Sequence, residues 1–377
     1  MKIIIASDSF KGSLTSPEAG EAMSRGFRQA DPTAQIRVIS IGDGGEGTLY
    51  SLTHNNNYEM IDIETVNAVG IPIVSQYGLS RDGKTAIIEL ATACGLARLK
   101  ETAPMTSSTL GTGIMVADAI KRGATTVYVA LGGSASTDGG MGLLTALGYR
   151  FYDIDDKLLY PMGQSLSSVS RIDGSNVLAG LSKVTLIGAC DVTNISIGQQ
   201  GAAAVFGPQK GATPRQVAML DNGMRNYLSV LQNFFGCRVQ DHPRTGAAGA
   251  TGAALKAMGA KLISGAEMCI ESTEIEHLLT DADLLVTGEG QADAQSLMGK
   301  ITGILLQYAH RKHVPSWIVA ARIKDRQLLL DAGFQRVIQM ASPSLDPRVT
   351  MISAVAEHCL AKACQQELKK LEHITSI

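Results

Sequence analysis

The sequence predicts an α/β protein with two domains, and three observations lead to this prediction. The chain has 377 residues, which is enough for two domains at roughly 100–200 residues each. Short aliphatic runs alternate with segments whose apolar residues recur at helical spacing, as in a parallel sheet with crossover helices. The 40 glycines are clustered, and such clusters mark sharp turns or close approaches of the backbone to a ligand.

A β-α-β unit opens the chain. The run Ile3–Ala6 predicts a buried strand. Ser16 and Pro17 predict the start of a helix, because serine caps helices and proline suits the first helical position. Apolar residues then recur at helical spacing as far as Ala30, and the segment 36–41 predicts a second strand.

The middle of the chain has a different pattern. From about Tyr58 to Leu90, strand-like runs are separated by glycine and aspartate turns, which indicates hairpins. A helix over 113–121 and a strand over 127–131 follow, and then a less regular stretch from 150 to about 280. The last third returns to alternating strands and helices, with elements predicted at 283–286, 297–310, 316–320, 336–339 and 349–371.

We therefore predict two interleaved α/β domains. One domain has a parallel sheet and combines residues 1–57 with 92–149 and 281–377. The other has a mixed sheet and combines residues 58–91 with 150–280.

Composition argues against several classes of protein. The net charge is −2 with no basic stripe, so nucleic-acid binding is not expected. No run approaches the ~20 apolar residues of a membrane span, and the N-terminus turns polar too soon for a signal peptide. Six cysteines without a C-x-x-C pair suggest reduced core residues, and the missing H-E-x-x-H motif argues against a zinc enzyme. We expect a cytoplasmic protein.

Candidate ligand loops follow the predicted strands, since open α/β sheets bind ligands beyond the carboxyl ends of their strands. The loop S-D-S-F-K-G-S supplies Asp8 and Lys11 just before a helix N-terminus, which attracts anions. The loop G-D-G-G-E-G-T sets Asp43 and Glu46 among glycines, whose N–H groups suit phosphate while the carboxylates suit Mg²⁺. Each loop could instead be an ordinary solvated turn.

Two later loops have the same character. Residues 132–142, G-G-S-A-S-T-D-G-G-M-G, join a strand to a helix as a phosphate cradle does, although neither a Walker A loop nor G-x-G-x-x-G is present. Close helix packing is the alternative explanation. In the segment 287–300, Glu289 and Asp293 could bind Mg²⁺ or act as a base, and Lys300 could neutralise phosphate charge.

Three further segments are weaker candidates. Asp191 and Asn194 follow another predicted strand and could face a metal or a substrate. Lys210 lies in F-G-P-Q-K-G-A shortly afterwards. The glycines of the segment 246–252 suit either a tightly packed helix or a ligand loop.

Together these loops indicate phosphoryl transfer. That reaction needs positioning, a metal and cationic neutralisation more than covalent help from the protein. One carboxylate must also take the proton of the acceptor hydroxyl. A Ser-His-Asp hydrolase is disfavoured, because the chain has no G-x-S-x-G elbow and no histidine in the glycine-rich loops.

Six segments resemble, in the same order, the signature segments of the bacterial glycerate kinase family. They are DSFKGSL (8–14), DGGEGT (43–48), LGGSASTDGGMG (131–142), VFGPQKGA (205–212), GAAGATGA (246–253) and TGEGQADAQSLMGK (287–300). The resemblance implies phosphorylation of D-glycerate by ATP to 2-phosphoglycerate. It also implies one Rossmann- or flavodoxin-like domain and one domain of restriction-endonuclease-like topology, with a cleft between them.

The chain departs from the family's pattern in three places. Thr193 stands where the family usually has an aspartate, and Ile195 where it has a proline. Gly42 replaces an alanine. Arg322, in Ala-Arg-Ile-Lys, occupies a turn that usually contains glycine. These changes could alter nucleotide contacts, substrate choice or activity.

The resemblance and the loop chemistry together assign roles to individual residues. For catalysis we expect Asp8, Lys11 and Asp293, with Asp8 or Asp293 orienting or deprotonating the acceptor hydroxyl. The expected Mg²⁺ ligands are drawn from Asp43, Glu46, Asp191 and Glu289. The expected ATP contacts are Gly132, Gly133, Ser134, Asp138, Lys210 and Lys300. The expected contacts with the acid are Ser9, Gly44, Gly45, Asn194 and Ser296.

Two alternatives remain open from the sequence. The protein could phosphorylate another small hydroxy or sugar acid, or it could bind such a ligand without catalysis. The sequence does not decide the phosphorylated hydroxyl, the stereoisomer, or whether the protein is a monomer or a homodimer.

Overall fold

A computed structural model describes residues 1–10, 12–41, 49, 58–273, 275–342, 345 and 347–375. These residues form two compact units, and each is described by itself. The parallel-sheet unit contains the described residues of 1–41 and 266–375, and the mixed-sheet unit contains Leu49 and the described residues of 58–265. The predicted α/β class is confirmed, with one parallel and one mixed sheet.

The strands and helices are numbered in chain order within the described residues. The strands are β1 (Lys2–Ser7), β2 (Gln35–Ser40), β3 (Tyr58–Val66), β4 (Pro72–Ser80), β5 (Thr85–Glu89), β6 (Thr126–Ala130), β7 (Arg150–Tyr152), β8 (Arg171–Asp173), β9 (Thr185–Ala189), β10 (Lys261–Ile263), β11 (Leu284–Ala292), β12 (Ser316–Ile323) and β13 (Arg336–Gln339). The α-helices are α1 (Ser16–Ala30), α2 (Ala91–Cys94), α3 (Leu110–Lys121), α4 (Met141–Ala146), α5 (Ala202–Phe206), α6 (Pro214–Phe235), α7 (Ala247–Ala257), α8 (Gly265–Glu271), α9 (Ile275–Leu278), α10 (Ile301–Arg311), α11 (Arg326–Asp331), α12 (Pro347–Thr350) and α13 (Ser353–Thr375).

The parallel-sheet unit has the strand order β13-β12-β11-β1-β2, with all neighbours parallel. Renumbered by chain order within the unit, this is the 2-1-3-4-5 order of flavodoxin-like sheets. The order reverses between β1 and β11, and such a reversal is where open sheets bind ligands beyond the strand ends. The aliphatic residues of β1 are fully buried in the core of this unit.

Helix α1 begins one residue away from the cap that the sequence predicts. Thr15, not Ser16, caps the helix and forms a capping box with Glu18. Ser16 has a different use, because its hydroxyl donates to Ser7 O at 2.7 Å and accepts from Ile41 N at 2.9 Å. This buried hydroxyl therefore ties the end of β1 to the chain just after β2.

Strand β11 is longer than predicted, because the glycine-rich segment that follows Val286 remains extended as far as Ala292. Strand β12 also runs past its predicted end and pairs with it, Gln291 lying opposite Arg322. Pairing with a neighbouring strand thus overrides the turn character of the glycines. At Gly288 a Cβ atom would lie only 2.9 Å from Val319 O, so the close packing there requires glycine.

The mixed-sheet unit has the strand order β10-β9-β6-β5-β4-β3. Strands β3, β4 and β5 are antiparallel, as their predicted hairpins require, whereas β5, β6, β9 and β10 are parallel. The core of this unit consists of buried residues of the mixed sheet together with the buried faces of α3, α4, α6 and α7.

The division into units differs from the prediction over residues 92–149. The prediction assigned this segment to the parallel sheet, but its strand β6 pairs with β5 and β9 in the mixed sheet. Residues 266–280 also belong to the parallel-sheet unit. Alternation of strands and helices reveals a parallel arrangement but not which sheet a strand joins.

Two expectations from composition can be compared with the structure. All six cysteines are free, and Cys94, Cys190, Cys269 and Cys364 are buried. Within the described part of the chain, no helix combines the length and apolar character needed to cross a bilayer.

Candidate active site

Asp8 lies directly after β1, where the order of the parallel sheet reverses. Its backbone N–H donates to Gly288 O at 2.9 Å, which joins the end of β1 to β11. The side-chain Oδ1 accepts from Ser9 N at 2.6 Å. The backbone therefore holds the Asp8 carboxylate at the carboxyl edge of the sheet, the place where ligands bind in this type of fold.

Glu289, on neighbouring β11, is a buried carboxylate that is paired within the protein. Lys300 Nζ lies 3.2 Å from Glu289 Oε2, and Thr302 Oγ1 lies 3.1 Å from Oε1. The Glu289 side chain is 7% exposed, whereas that of Lys300 is 45% exposed. The ammonium of Lys300 thus compensates a buried charge on one side and remains accessible to an anion on the other.

Asp293 follows β11 and caps the short 3-10 helix Ala294–Leu297. Its two carboxylate oxygens accept from Gln295 N at 3.0 Å and from Gln291 Nε2 at 2.7 Å. The Gln291 bond, aided by Gln295 N and by Lys300 and Lys324, lowers the pKa of Asp293 against a small effect of burial. Ser296, buried in this turn, accepts from Asp293 N through its hydroxyl.

Several predicted site residues lie outside the described residues. They are Lys11, Asp43, Gly44, Gly45 and Glu46. Among the residues that are described, no group of three or more His, Cys, Asp or Glu side chains forms a metal cluster.

The glycine-rich loop of the mixed-sheet unit runs from the end of β6 to α4. Gly133, Gly139 and Gly140 have φ values of 69°, 62° and 74°, the left-handed region that favours glycine. Gly139 N donates to Gly249 O at 2.9 Å, so the loop is attached to the first turn of α7. At Gly139 a Cβ atom would lie 2.6 Å from the Tyr227 ring, so no larger residue fits.

Asp138 is fully buried and organises this loop from within. Its Oδ2 accepts from Thr109 N and Thr109 Oγ1, both at 2.7 Å, and from Gly142 N at 3.1 Å. Oδ1 accepts from Gly140 N at 3.3 Å. Burial raises the pKa of Asp138, while the bonds from Thr109, Gly142 and Gly140 act in the opposite direction.

Lys210 is also buried behind the loop, being 3% exposed. Its Nζ donates to Ser136 O at 2.5 Å. Burial lowers the pKa of Lys210 to about 8, and the charge of Asp138 partly opposes this effect. Ser134 is buried as well, and its hydroxyl lies 3.0 Å from that of Ser136. The loop is therefore supported from behind by a cation and a carboxylate.

Asp191 and Asn194 lie after β9 in the same unit. Asp191 is exposed, and its Oδ1 accepts from Gly265 N at 3.0 Å. Asn194 donates through its side chain to Gln200 O and accepts from Gly246 N at its backbone oxygen, both at 2.9 Å. The segment 191–194 is thus attached to the segment that begins at Gly246.

That second segment is a tightly packed helix, one of the two forms predicted for it, with a left-handed turn at its start. Ala248, Gly249 and Ala250 have φ values of 50°, 63° and 67°, so a left-handed turn precedes the regular part of α7. At Gly249 a Cβ atom would lie 2.1 Å from Ser136 O. Close backbone packing against the glycine-rich loop therefore requires glycine at this position.

Sequence reasoning missed two residues of this region. Thr109 supplies two of the four hydrogen bonds to Asp138, but it lies 29 positions away and has no local signal. Arg244 has a left-handed backbone with φ 71°, directly before the glycine- and alanine-rich segment. A basic residue at the edge of such a segment is the signal that could have identified it.

The fold and these side chains define an α/β enzyme of the phosphotransferase class. The parallel sheet presents carboxylates and an accessible lysine where its strand order reverses, and the mixed sheet presents a glycine-rich loop ahead of a helix. The model of the Glycerate kinase family matches residues 3–371. The chain belongs to this family and is a kinase.

Known relatives agree with that assignment. The chain is 40% identical over 362 residues to a glycerate kinase of Bacillus subtilis (strain 168), covering 95% of this chain and 94% of the relative. It is 37% identical over 328 residues to a glycerate 2-kinase of Escherichia coli (strain K12), covering 86% of each. A crystal structure described as a candidate glycerate kinase 2 from Salmonella typhimurium LT2 is similar with a TM-score of 0.89, at 33% identity and 100% coverage of both chains.

Proposed function

We propose that the protein transfers the γ-phosphoryl group of ATP to D-glycerate and forms 2-phospho-D-glycerate with the help of Mg²⁺. One observation carries the proposal: Asp8 directly follows β1, and Glu289, paired with Lys300, lies on the adjacent parallel strand β11, where the strand order reverses. A carboxylate and an accessible ammonium at that place suit proton removal and charge neutralisation. The names of the relatives from Bacillus subtilis and Escherichia coli support the substrate and the product.

On the acceptor side, Asp8 is the better candidate for the base. Asp293 has both carboxylate oxygens engaged by Gln291 and Gln295, and its pKa is lowered, which weakens it as a proton acceptor. We assign Asp293 to holding the turn that precedes Lys300. Ser9 is the proposed hydroxyl contact of the acid, whereas Ser296, which the sequence also suggested, is fully buried and supports the turn through Asp293 N.

On the donor side, the glycine-rich loop is the proposed phosphate contact. Its residues Gly132, Gly133 and Ser134 have N–H groups suited to oxyanions. Asp138 and Lys210 support the loop from the buried side. In this assignment both act on the nucleotide through the loop, and Lys300 is the cation that contacts phosphate.

The proposed metal ligands are chemically suited to Mg²⁺, because all are carboxylates and Mg²⁺ prefers hard oxygen donors. Among the described residues, the proposed ligands are Glu289 in the parallel-sheet unit and Asp191 in the mixed-sheet unit. When bound, Mg²⁺ would neutralise charge on the phosphates. Lys300, already paired with Glu289, shares that task.

A second candidate function is phosphorylation of another small hydroxy acid. Arg322 favours it, because this exposed cation lies on β12 opposite Gln291, two residues before Asp293. An added positive charge beside the acceptor residues would favour an acid with a second anionic group.

A cytoplasmic location and a monomeric or homodimeric state stay predictions.

The test of the proposal is turnover by the purified protein. ADP release from MgATP is measured with and without D-glycerate, and the product is identified by phosphorus NMR. We expect release that depends on D-glycerate and yields 2-phosphoglycerate. Release with another hydroxy acid only would establish the second candidate, and no release from folded protein with any acid would reject both.

Variants test the assignment of the base. Asp8→Asn should lower kcat by roughly 10²–10⁴-fold with little change in KM, the contribution typical of a general base. Asp293→Asn should act less strongly, through the turn that it caps. Asp31→Asn, in an exposed turn of the same unit, is the control and should retain normal turnover. Near-normal kcat in both Asp8→Asn and Asp293→Asn would contradict the assignment.

A further inference from the structure

The hydroxyl of Thr302, in the first turn of α10, lies between two acceptors. Its Oγ1 lies 3.1 Å from Glu289 Oε1 and 3.0 Å from the backbone oxygen of Ser296. A hydroxyl has one proton to donate, whereas an ionised carboxylate and a carbonyl oxygen only accept. The Thr302 proton can therefore bond fully to one of these two oxygens but not to both at once.

Close packing fixes the position of this hydroxyl. Thr302 is 1% exposed, and Ser296 is fully buried. At Gly303, the next residue of α10, a Cβ atom would lie 2.6 Å from the same Ser296 oxygen, so the first turn of α10 packs directly against the turn that Asp293 caps. Because a hydroxyl proton rotates freely, it can change acceptor without any movement of the backbone.

The two oxygens of Glu289 have partners that differ in accessibility. Oε2 faces the ammonium of Lys300 at 3.2 Å, whereas Oε1 faces the buried Thr302. The Lys300 side chain is 45% exposed, so an anion from solvent can draw its ammonium away, but the Glu289 side chain is only 7% exposed. A buried carboxylate that loses its counter-charge is costly unless another hydrogen bond compensates it.

We propose that Thr302 is a positioning residue that allows Lys300 to leave Glu289 and to contact an anionic phosphate group. While Lys300 is paired with Glu289, the Thr302 proton is shared with Ser296 O. When an anion takes the ammonium, the proton turns fully to Glu289 Oε1 and stabilises the buried carboxylate. That the anion is the phosphoryl group in transfer rests on the proposed function, whereas the release of Lys300 does not.

The substitution Thr302→Val tests this inference, because valine has nearly the shape of threonine but lacks the hydroxyl. Lys300 is then the remaining partner of Glu289 within the described part of the chain, and it is held there more firmly. The Kd of inorganic phosphate, measured by calorimetric titration, should rise roughly 10- to 100-fold, the factor carried by a hydrogen bond to a charged group. Thr302→Ser keeps the hydroxyl and should bind phosphate as the wild type does.

A double-mutant cycle shows whether Thr302 acts through Lys300. Lys300→Met should weaken phosphate binding at least as much as Thr302→Val does. In the Lys300→Met background, Thr302→Val should cause no further loss, because the ammonium that it controls is absent. Additive losses would mean that the two residues act independently, and they would overturn the inference.

Turnover extends the test to the proposed reaction. With MgATP and D-glycerate, kcat should fall about 10-fold or more in Thr302→Val, while KM for D-glycerate stays within about twofold. Thr302→Ser should recover most of the lost kcat. If no acid supports turnover in the wild type, the proposed function is rejected, and the phosphate titration still decides the inference.

Thr287→Val is the matched control. The Thr287 hydroxyl is buried on the same strand as Glu289, two positions earlier, and it has no hydrogen-bond partner among the residues that the structure describes. This variant should leave both phosphate binding and kcat unchanged. It separates the loss of a buried hydroxyl in general from the loss of the one that faces Glu289.

Two further results would overturn the inference. One is an equal Kd for phosphate in wild type and Thr302→Val, whatever the outcome for the kinase reaction. The other is a loss in Thr302→Val that Thr302→Ser shares, because the methyl group and its packing would then matter in place of the hydroxyl.

Discussion

Lys210 leads to a specific prediction about stability. Its ammonium is buried behind the glycine-rich loop and donates to Ser136 O at 2.5 Å. Burial lowers the pKa of this group to about 8, despite the favourable charge of Asp138. We expect the wild type to show a pH dependence of stability in the alkaline range that Lys210→Met does not show.

The sign of the effect follows from the two pKa values of Lys210. An unfolded lysine has a pKa of about 10.4, above the folded value of about 8. Between these values the unfolded chain binds more protons, so the free energy of unfolding rises with pH. At ~1.36 kcal/mol per pKa unit, the full gain is about 3 kcal/mol. The penalty is complete below about pH 8 and absent above about pH 10.5.

The assay is urea unfolding of both proteins at intervals from pH 7 to 10.5. The difference between wild type and Lys210→Met is plotted, because the titration of other groups cancels in it. Amide hydrogen exchange in β6 gives a local reading for the mixed-sheet unit, since a chain with two units need not unfold in one step. Lys183→Met, at an exposed position of the same unit, is the control. A difference in the free energy of unfolding that stays constant across this pH range would contradict the lowered pKa of Lys210.

Two further predictions concern the packing of the same loop. Gly249→Ala should lower the free energy of unfolding by about 2 kcal/mol more than Gly236→Ala. The two glycines have similar φ, but only at Gly249 would a Cβ atom meet backbone, at 2.1 Å from Ser136 O. Equal losses in urea unfolding would contradict this explanation. Thr109→Val should cost about 3 kcal/mol, since its hydroxyl donates to Asp138 and accepts from Leu143 N. Thr109→Ser, which keeps the hydroxyl, should recover most of that loss in the same measurement.

The sequence predicted the fold class well because strand and helix periodicity is local. The first β-α-β unit and the hairpins of β3 to β5 were found in this way. Choice of partner is not local, and the segment 92–149 was therefore assigned to the wrong sheet relative to its observed pairing. For the same reason the glycines after Val286 suggested a loop, although β12 extends and holds them in β11.

Loop composition predicted where the candidate site lies, but it did not predict which residues face a ligand and which support the loops. Asp8 follows β1, and Glu289, paired with Lys300, lies on the neighbouring strand β11, where the sheet order reverses. Asp138 and Lys210 looked like ligand contacts, because their residue types suit phosphate chemistry. Their observed partners, Thr109 and Ser136, depend on tertiary packing that no spacing in the sequence reveals.

The strand order also affects how the protein folds during its synthesis on the ribosome. All strands of the mixed-sheet unit lie within residues 58–265, so they exist before synthesis reaches the last third of the chain. Strand β1 must wait for β11, its neighbour in space but some 280 residues later. Contacts so distant in sequence form slowly, and domains tend to fold as units during synthesis. The edge that carries Asp8 is thus completed last, after the glycine-rich loop already has its shape.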